Sequence, residues 1–310
     1  MNHVAVVGAG VIGRAWVAQL VSRGVPVRVS DPSPDTWSLL ERDVEQARPA
    51  LVALGHDPGR WQDLVTVSSS PAEAVDGARF VQESGPEDEQ VRGALYREID
   101  EVAPADVPVA SSTSTMLPSR IAALAPEHPE RFLVGHPFNP VHLVPLVEVV
   151  GGVATSPEVV ERAMAFYAEV GKRPIHVRRE VPGHLANRLQ AALWREAYSL
   201  VDRGVATVAD VDAAIAHGPG LRWALLGPLV NQHLSGGDGG LRHVLAHLGP
   251  PTEALMDDLG RAPLTPELVE ALAAGVDDEL KGVDQAAMAA DRDALLIALL
   301  AAKAAAHHLP

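Results

Sequence analysis

The sequence contains no cysteine. That removes disulfides, thiolate nucleophiles and cysteine-ligated zinc or iron–sulfur centres together, and it fits a reducing cytoplasm, the compartment expected for this chain. Long apolar runs are missing too. No stretch of about 18 uncharged apolar residues occurs, so no membrane span is expected. The opening residues, Met1 to Gly13, hold no charged n-region and no cleavage site, and no secretory signal is expected. Basic residues are scarce: 25 Lys and Arg stand against 40 Asp and Glu, for a formal charge of -15. Such a surface repels polyanions, and the chain has no basic stripe of the kind a nucleic-acid binder carries. No internal repeat and no metal site is expected. A small anion remains a suitable ligand, because a few placed donors suffice for it.

What is present is globular in balance, with 47% hydrophobic and 21% charged residues over 310 positions, a length that suits about two domains. The first half alternates β-rich runs (His3–Gly8, Val25–Asp31, Leu64–Ser68, Ala78–Ser84, Val107–Ser112 and Phe132–Pro137) with helical patterns (Gly13–Arg23, Asp35–Leu54, Glu87–Val102 and Ser119–Ala125). Strands alternating with helices predict an α/β fold, a doubly wound, mostly parallel sheet of Rossmann type. Leu146–Val150 and Arg173–Arg178, flanking a helix over Ser156–Val170, extend that sheet. From Pro182 the strand runs vanish and helices follow: Pro182–Asp202, Val208–His217, then Ala-rich helices after a Gly-rich segment at Gly236–Gly240. Pro182 suits a first helical turn, where its missing N–H costs nothing. The boundary is therefore placed there, giving a nucleotide-binding domain at 1–181 and an all-α domain at 182–310.

Gly8-Ala9-Gly10-Val11-Ile12-Gly13 reads G-x-G-x-x-G where the first strand ends and the first helix begins. Gly8 permits a tight turn, Gly10 lets backbone approach a pyrophosphate, and Gly13 lets helix and strand pack closely. The helix N-terminus, from Val11 and Ile12 onward, offers N–H groups and partial positive charge to phosphates. Asp31 closes the second strand 18 residues after Gly13, where a carboxylate binds the ribose hydroxyls of NAD. It would repel a 2′-phosphate, and Pro32-Ser33-Pro34 supplies no arginine to hold one, so NAD is favoured over NADP.

A second constellation lies at later strand ends and on the helix that opens the second domain: Ser111 to Ser114, His136-Pro137-Phe138-Asn139-Pro140, Glu148, and Asn187-Arg188-Leu189. Ligands of open α/β sheets bind at the carboxyl ends of the strands, and a histidine there can take a proton from an alcohol. With the nucleotide fingerprint, Gln82-Glu83-Ser84-Gly85-Pro86-Glu87, Leu146-Val147-Glu148 and Val181-Pro182-Gly183-His184-Leu185-Ala186-Asn187-Arg188-Leu189, these residues resemble the 3-hydroxyacyl-CoA dehydrogenase superfamily over nearly the whole chain. The resemblance implies a catalytic pair at His136 and Glu148, with Ser114 and Asn187 on the reacting oxygen. It places Glu87 and Arg92 beside the nicotinamide half of the cofactor; a lysine is more usual where this chain has Arg92. It also implies a homodimer built on the helical domain.

Within that superfamily the chain is most similar to the branch that acts on small free acids, the carnitine and L-gulonate 3-dehydrogenases with lambda-crystallin. The CoA-using enzymes hold phosphate with a lysine-rich segment after the second strand. Here Asp35–Leu64 carries six acidic residues against three arginines, a poor phosphate cradle. The turn Gly218-Pro219-Gly220-Leu221-Arg222-Trp223-Ala224 supplies Arg222, a guanidinium suited to bidentate grip on a substrate carboxylate. Trp223, and Trp194 two helical turns after Asn187, are candidate faces for a quaternary ammonium. His142 stands where the carnitine enzymes usually have tyrosine, and Asn187 where some have aspartate. The substrate is thus expected to be a carnitine-like 3-hydroxy acid, with gulonate, another small 3-hydroxy acid or a CoA thioester as alternatives. A non-catalytic NAD sensor or structural protein is the reading from another class.

Overall fold

The computed structural model describes residues 3–125 and 127–309. The chain divides into two compact units, 1–188 and 189–310.

The first unit is built on β1 (His3–Val7), α1 (Val11–Ser22), β2 (Val27–Ser30), α2 (Thr36–Ala53), β3 (Val65–Ser68), α3 (Pro71–Val75), β4 (Ala78–Glu83), α4 (Glu89–Val102), β5 (Val109–Ser111), α5 (Pro118–Ala122), β6 (Phe132–Pro137), β7 (Leu146–Gly151), α6 (Pro157–Glu169) and β8 (Arg173–Val177). The strands form one sheet in the order β3-β2-β1-β4-β5-β6-β7-β8. β1 to β6 pair in parallel. β7 pairs antiparallel to β6, and β8 parallel to β7, so the last two strands run against the rest.

Every residue of β1 is buried, as expected of a central strand covered on both faces. Its side chains alternate, sending Val4 and Val6 into one core and Ala5 and Val7 into the other. The first core gathers Trp16, Val17 and Leu20 of α1 with Leu40, Val44 and Leu51 of α2 and the buried face of α6. On α2 the buried positions Leu40, Val44, Ala47 and Leu51 recur at helical spacing. The second core takes Tyr96 and Ile99 of α4 and Ile121 of α5. Each fully buried large apolar side chain contributes about 1.5–3 kcal/mol.

Helix starts are written locally. Ser70-Pro71 and Ser156-Pro157 open α3 and α6, each serine accepting an N–H from three residues on, a cap worth roughly 1 kcal/mol. The helix after Pro182 departs from this logic. The sequence places its start at Pro182, whereas α7 spans Ala186–Asp202. Gly183 (φ +76°) and His184 (φ +50°) are left-handed and close a turn instead of a helix. The N–H groups at the true start are used elsewhere, as the site below makes clear.

A buried ion pair joins α4 to the start of β6. Arg131 is fully buried and donates to Asp100 Oδ1 through Nη2 at 2.6 Å and Nε at 3.1 Å. It also donates to the main-chain oxygens of Asp100, Ala103 and Pro104.

The second unit contains most of α7, then α8 (Val208–Ala216), α9 (Pro219–Leu226), α10 (Pro228–Ser235), α11 (Gly240–Asp258), α12 (Pro266–Glu279) and α13 (Gln285–Ala305). No strand occurs among its described residues. Many large apolar side chains stay exposed, among them Leu189, Leu221, Leu229, Leu255 and Leu295.

Asp100→Leu leaves the Arg131 charge buried without its partner, which costs about 3–5 kcal/mol. Urea unfolding is expected to show that loss as a lowered midpoint; an unchanged midpoint would contradict the structural role given to the pair.

Candidate active site

At the carboxyl end of β1, Gly8 adopts φ +93°. A Cβ there would lie 2.6 Å from the carbonyl oxygen of Ser84, and one on Gly13 would lie 1.9 Å from that of Gly8. Strand, loop and helix are therefore packed backbone to backbone. Gly10 differs: a Cβ there meets nothing within 4 Å, so this glycine keeps a surface open to a ligand. α1 starts without a side-chain cap, leaving the N–H groups of its first turn, at Val11, Ile12 and Gly13, available to an anion. Asp31 follows β2 and accepts from Ala9 N at 2.7 Å and Ser33 N at 2.9 Å, which fixes it against the glycine loop. Arg14 holds the same loop from behind, donating to Ala9 O at 2.6 Å while Asp43 neutralises it at 2.6 Å. Loop, uncapped helix and carboxylate fit the pyrophosphate and ribose of a dinucleotide.

The next two strand ends are tied together by acids. Glu83, ending β4, is fully buried and accepts from Tyr96 at 2.8 Å, Ser111 at 2.5 Å and Gly85 N at 2.5 Å. Ser111 thereby becomes a structural member of the network. Glu87 accepts from Thr113 at 2.9 Å, Thr115 at 2.9 Å and Arg92 at 2.8 Å. Its burial would raise its pKa, but the Thr115 hydroxyl, the Arg92 charge, the Thr113 hydroxyl and the Ser114 N–H together lower it. Glu87 and Arg92 thus form a pair fastened to the loop that carries Ser114, which is half-buried.

His136 on β6 and Glu148 on β7 are directly opposite in the antiparallel register. Opposed residues of such a pair project to the same face, and His136 Nδ1 lies 2.9 Å from Glu148 Oε2. Glu148 is fully buried and His136 6% exposed. A carboxylate can only accept, so Nδ1 carries the proton and the basic nitrogen is Nε2. The other oxygen of Glu148 accepts from Leu185 N at 2.9 Å and Ala186 N at 2.8 Å. These N–H groups belong to the turn and first residue of α7, which explains why the helix begins there. Burial alone would raise the pKa of Glu148; the bond to His136 and the N–H groups of Ala186 and Leu185 outweigh it and hold the value below the ordinary 4.5. Asn187, next along, is half-buried. Phe138 packs edge-on to the His136 ring at 4.9 Å, and the His184 ring lies 5.3 Å away on another side.

The structure therefore brings together Ser114's loop, His136, Glu148 and the turn preceding Asn187. His184 and the two backbone donors were not picked out individually by sequence. His184 was visible only as a letter in a motif, and backbone N–H groups leave no side-chain signal. Arg222 and Trp223 lie on α9, both exposed. Trp194 lies on α7, half exposed, and lines a groove of about 340 Å³ with Tyr198, Val208, Asp212, Leu272 and Val276. The two tryptophans make no ring contact with each other.

The family model of the 3-hydroxyacyl-CoA dehydrogenase NAD-binding domain matches residues 3–181, and that of its C-terminal domain matches 183–284. The chain belongs to the 3-hydroxyacyl-CoA dehydrogenase family. This family member is 46% identical to L-carnitine dehydrogenase of Streptomyces griseus over 302 residues, covering 97% of this chain and 90% of that protein. It is 43% identical to L-carnitine dehydrogenase of Pseudomonas putida over 298 residues, covering 96% and 92%. Among solved structures it resembles 5-formyl-3-hydroxy-2-methylpyridine 4-carboxylic acid 5-dehydrogenase, an NAD-dependent dismutase, with TM-score 0.83, 28% identity and 98% of each chain covered. The protein is an NAD-dependent dehydrogenase that acts on a hydroxyl group. No described helix is long and apolar enough to cross a membrane.

In this family member Glu148 is more acidic folded than unfolded, so it adds stability that is complete above the ordinary glutamate value and lost as pH falls through its lowered one. Urea midpoints of the wild type and Glu148→Gln should differ at neutral pH. The gap should close below pH about 4.5, where the wild type protonates toward the same neutral side chain. A gap that widens on acidification would contradict the assignment.

Proposed function

We propose that the protein oxidises a small free 3-hydroxy acid of the carnitine kind to its 3-keto acid, with His136 as general base. The observation that carries this reading is the buried His136–Glu148 contact, in a chain whose glycine loop and Asp31 fit a dinucleotide. The hydroxyl proton moves to His136 Nε2, the carbinol C–H bond breaks with its electron pair leaving as hydride, and the C–O bond becomes a carbonyl. When bound, NAD supplies the acceptor for that hydride; Gly8, Gly10, Val11, Ile12, Gly13 and Asp31 hold its pyrophosphate and ribose, and Glu87 with Arg92 stands by its nicotinamide half. Glu148 stabilises the imidazolium and fixes the tautomer. Ser114 and Asn187 donate to the oxygen as its bonding changes.

The choice of a free acid over a CoA thioester is supported by charge. Each arginine of the 35–64 segment is already paired: Arg42 with Asp43, Arg48 with Glu45 and Asp57, Arg60 with Asp63. None is left over for the phosphates of CoA. The carnitine dehydrogenases that the chain resembles support a zwitterionic substrate, with Arg222 on its carboxylate and Trp194 and Trp223 near its quaternary ammonium. We further propose a nucleotide domain at 1–181 and a helical domain at 182–310 that carries substrate contacts and dimerises through its exposed apolar side chains. The enzyme would work as a homodimer in the cytoplasm.

Incubation with NAD and, separately, carnitine, gulonate, 3-hydroxybutyrate and 3-hydroxybutyryl-CoA tests the reading by the absorbance of reduced nicotinamide. Carnitine or a close analogue is expected to turn over fastest, and His136→Asn to lose about 10²–10⁴ in rate while still binding NAD. Fastest turnover of the thioester would replace the free-acid reading. Absence of turnover on every substrate, with NAD still bound, would favour a sensor. Arg222→Ala is expected to raise KM for the acid roughly tenfold or more and to leave a neutral ester analogue unaffected; an equal effect on both removes the carboxylate anchor.

A further inference from the structure

His184 stands in the turn between β8 and α7. It is fully buried, and it is the one non-glycine residue with left-handed φ among those described, at +50°. L side chains avoid that region, so such a conformation persists where the surroundings dictate it. Its side chain makes two contacts. Nε2 lies 3.2 Å from the carbonyl oxygen of Thr113, and the ring lies 5.3 Å from that of His136.

The carbonyl only accepts, so Nε2 carries a proton. Nδ1 is buried with no hydrogen-bond partner. A second proton there would be a buried charge without an acceptor. Burial accordingly lowers the pKa of His184; the Thr113 carbonyl opposes the shift, and the titratable groups acting on it are His136, which adds to it, and Glu148, which opposes it. The ring is therefore a neutral donor. Its neighbours in sequence place it between two parts of the site. Thr113 precedes Ser114, and the two residues after His184 supply the N–H groups that hold Glu148.

We propose that His184 is a positioning residue: as a neutral imidazole it ties the Thr113–Ser114 loop to the turn that grips Glu148, so that Ser114 and His136 meet the same substrate oxygen. The proposal rests on the reading of His136 and Glu148 as the acid–base pair. A phenyl ring would fill the space without a donor. A cation would oppose the positive charge that His136 acquires on taking the substrate proton.

The test compares full-length wild type, His184→Phe, His184→Gln and His136→Asn. Glutamine can place an amide N–H near the position of Nε2. His184→Phe is expected to lower kcat roughly ten- to hundredfold, with the dissociation constant for NAD within about twofold of wild type. His184→Gln is expected to recover most of that loss, a rescue that simple loss of packing would not give. If His184→Phe keeps wild-type kcat while His136→Asn is inactive, the positioning role is overturned and the acid–base reading stands. If His136→Asn also keeps full turnover, the acid–base reading itself fails. Should the His184 variants not fold, imidazole ¹⁵N spectra of the wild type decide the matter. A buried ring identified by its proximity to Thr113 and His136 should stay neutral with Nε2 protonated from pH about 8 to about 6, and a ring that becomes charged in that range overturns the proposal.

Discussion

One contact organises the site: a histidine and a glutamate facing each other across two antiparallel strands. In a purely parallel sheet, neighbouring strand ends would present their carboxyl-edge residues from separate crossovers. By running β7 against β6, the chain places His136 opposite Glu148 by ladder register, and the side-chain bond follows from the pleat. A slip of one residue would turn Glu148 to the other face. The reversal near the edge of an otherwise parallel sheet is thus the feature on which the proposed proton chemistry depends. The other oxygen of Glu148 then recruits the start of α7, joining β7 to the helix that follows β8.

Much of this was legible in the letters. The glycine fingerprint followed by Asp31 marked the first crossover, because Gly8 and Gly13 stand where a Cβ would collide with backbone. The strand runs were readable because strands covered on both faces are continuously apolar. The reversed direction of β7 and β8 was not readable, since an apolar run has no polarity along the chain. The start of α7 was misplaced for a related reason. Proline at a first turn is a local preference, whereas the actual start is set by a carboxylate on a strand far away in sequence. Likewise Ser111 and Ser114 read alike, and only packing reveals that Ser111 serves Glu83. For Arg222, Trp194 and Trp223 the sequence offered residue types; the second unit adds their helices, their exposure and, for Trp194, a groove.

Charge is handled in the same economical way. A chain with a formal charge of -15 that takes an anionic cofactor needs positive potential at one point. Arginine side chains do not supply it at the glycine loop: Arg14 is spent on Ala9 and Asp43. On the proposed reading it comes instead from peptide N–H groups at the start of α1, which carry no countercharge and need no lysine patch. The acidic surface outside can then reject larger polyanions while the loop still accepts a pyrophosphate.

Three carboxylates in the first unit are buried, and comparing them explains why one of them is suited to chemistry. Asp100 is surrounded by Arg131 and the N–H groups of Glu127 and His128. Glu83 is surrounded by Tyr96, Ser111 and the N–H of Gly85. Guanidinium, phenol, hydroxyl and peptide donors keep their protonation state near neutral pH, so those acids are permanently satisfied and their work is to hold the fold. Glu148 has two peptide donors of the same fixed kind, but its third partner is an imidazole. That partner can gain a proton at its far nitrogen, and the carboxylate interacts more strongly with the product than with the starting state. Two fixed donors keep Glu148 ionised and in place; in the proposed mechanism the variable third is where binding energy becomes specific to the charged intermediate.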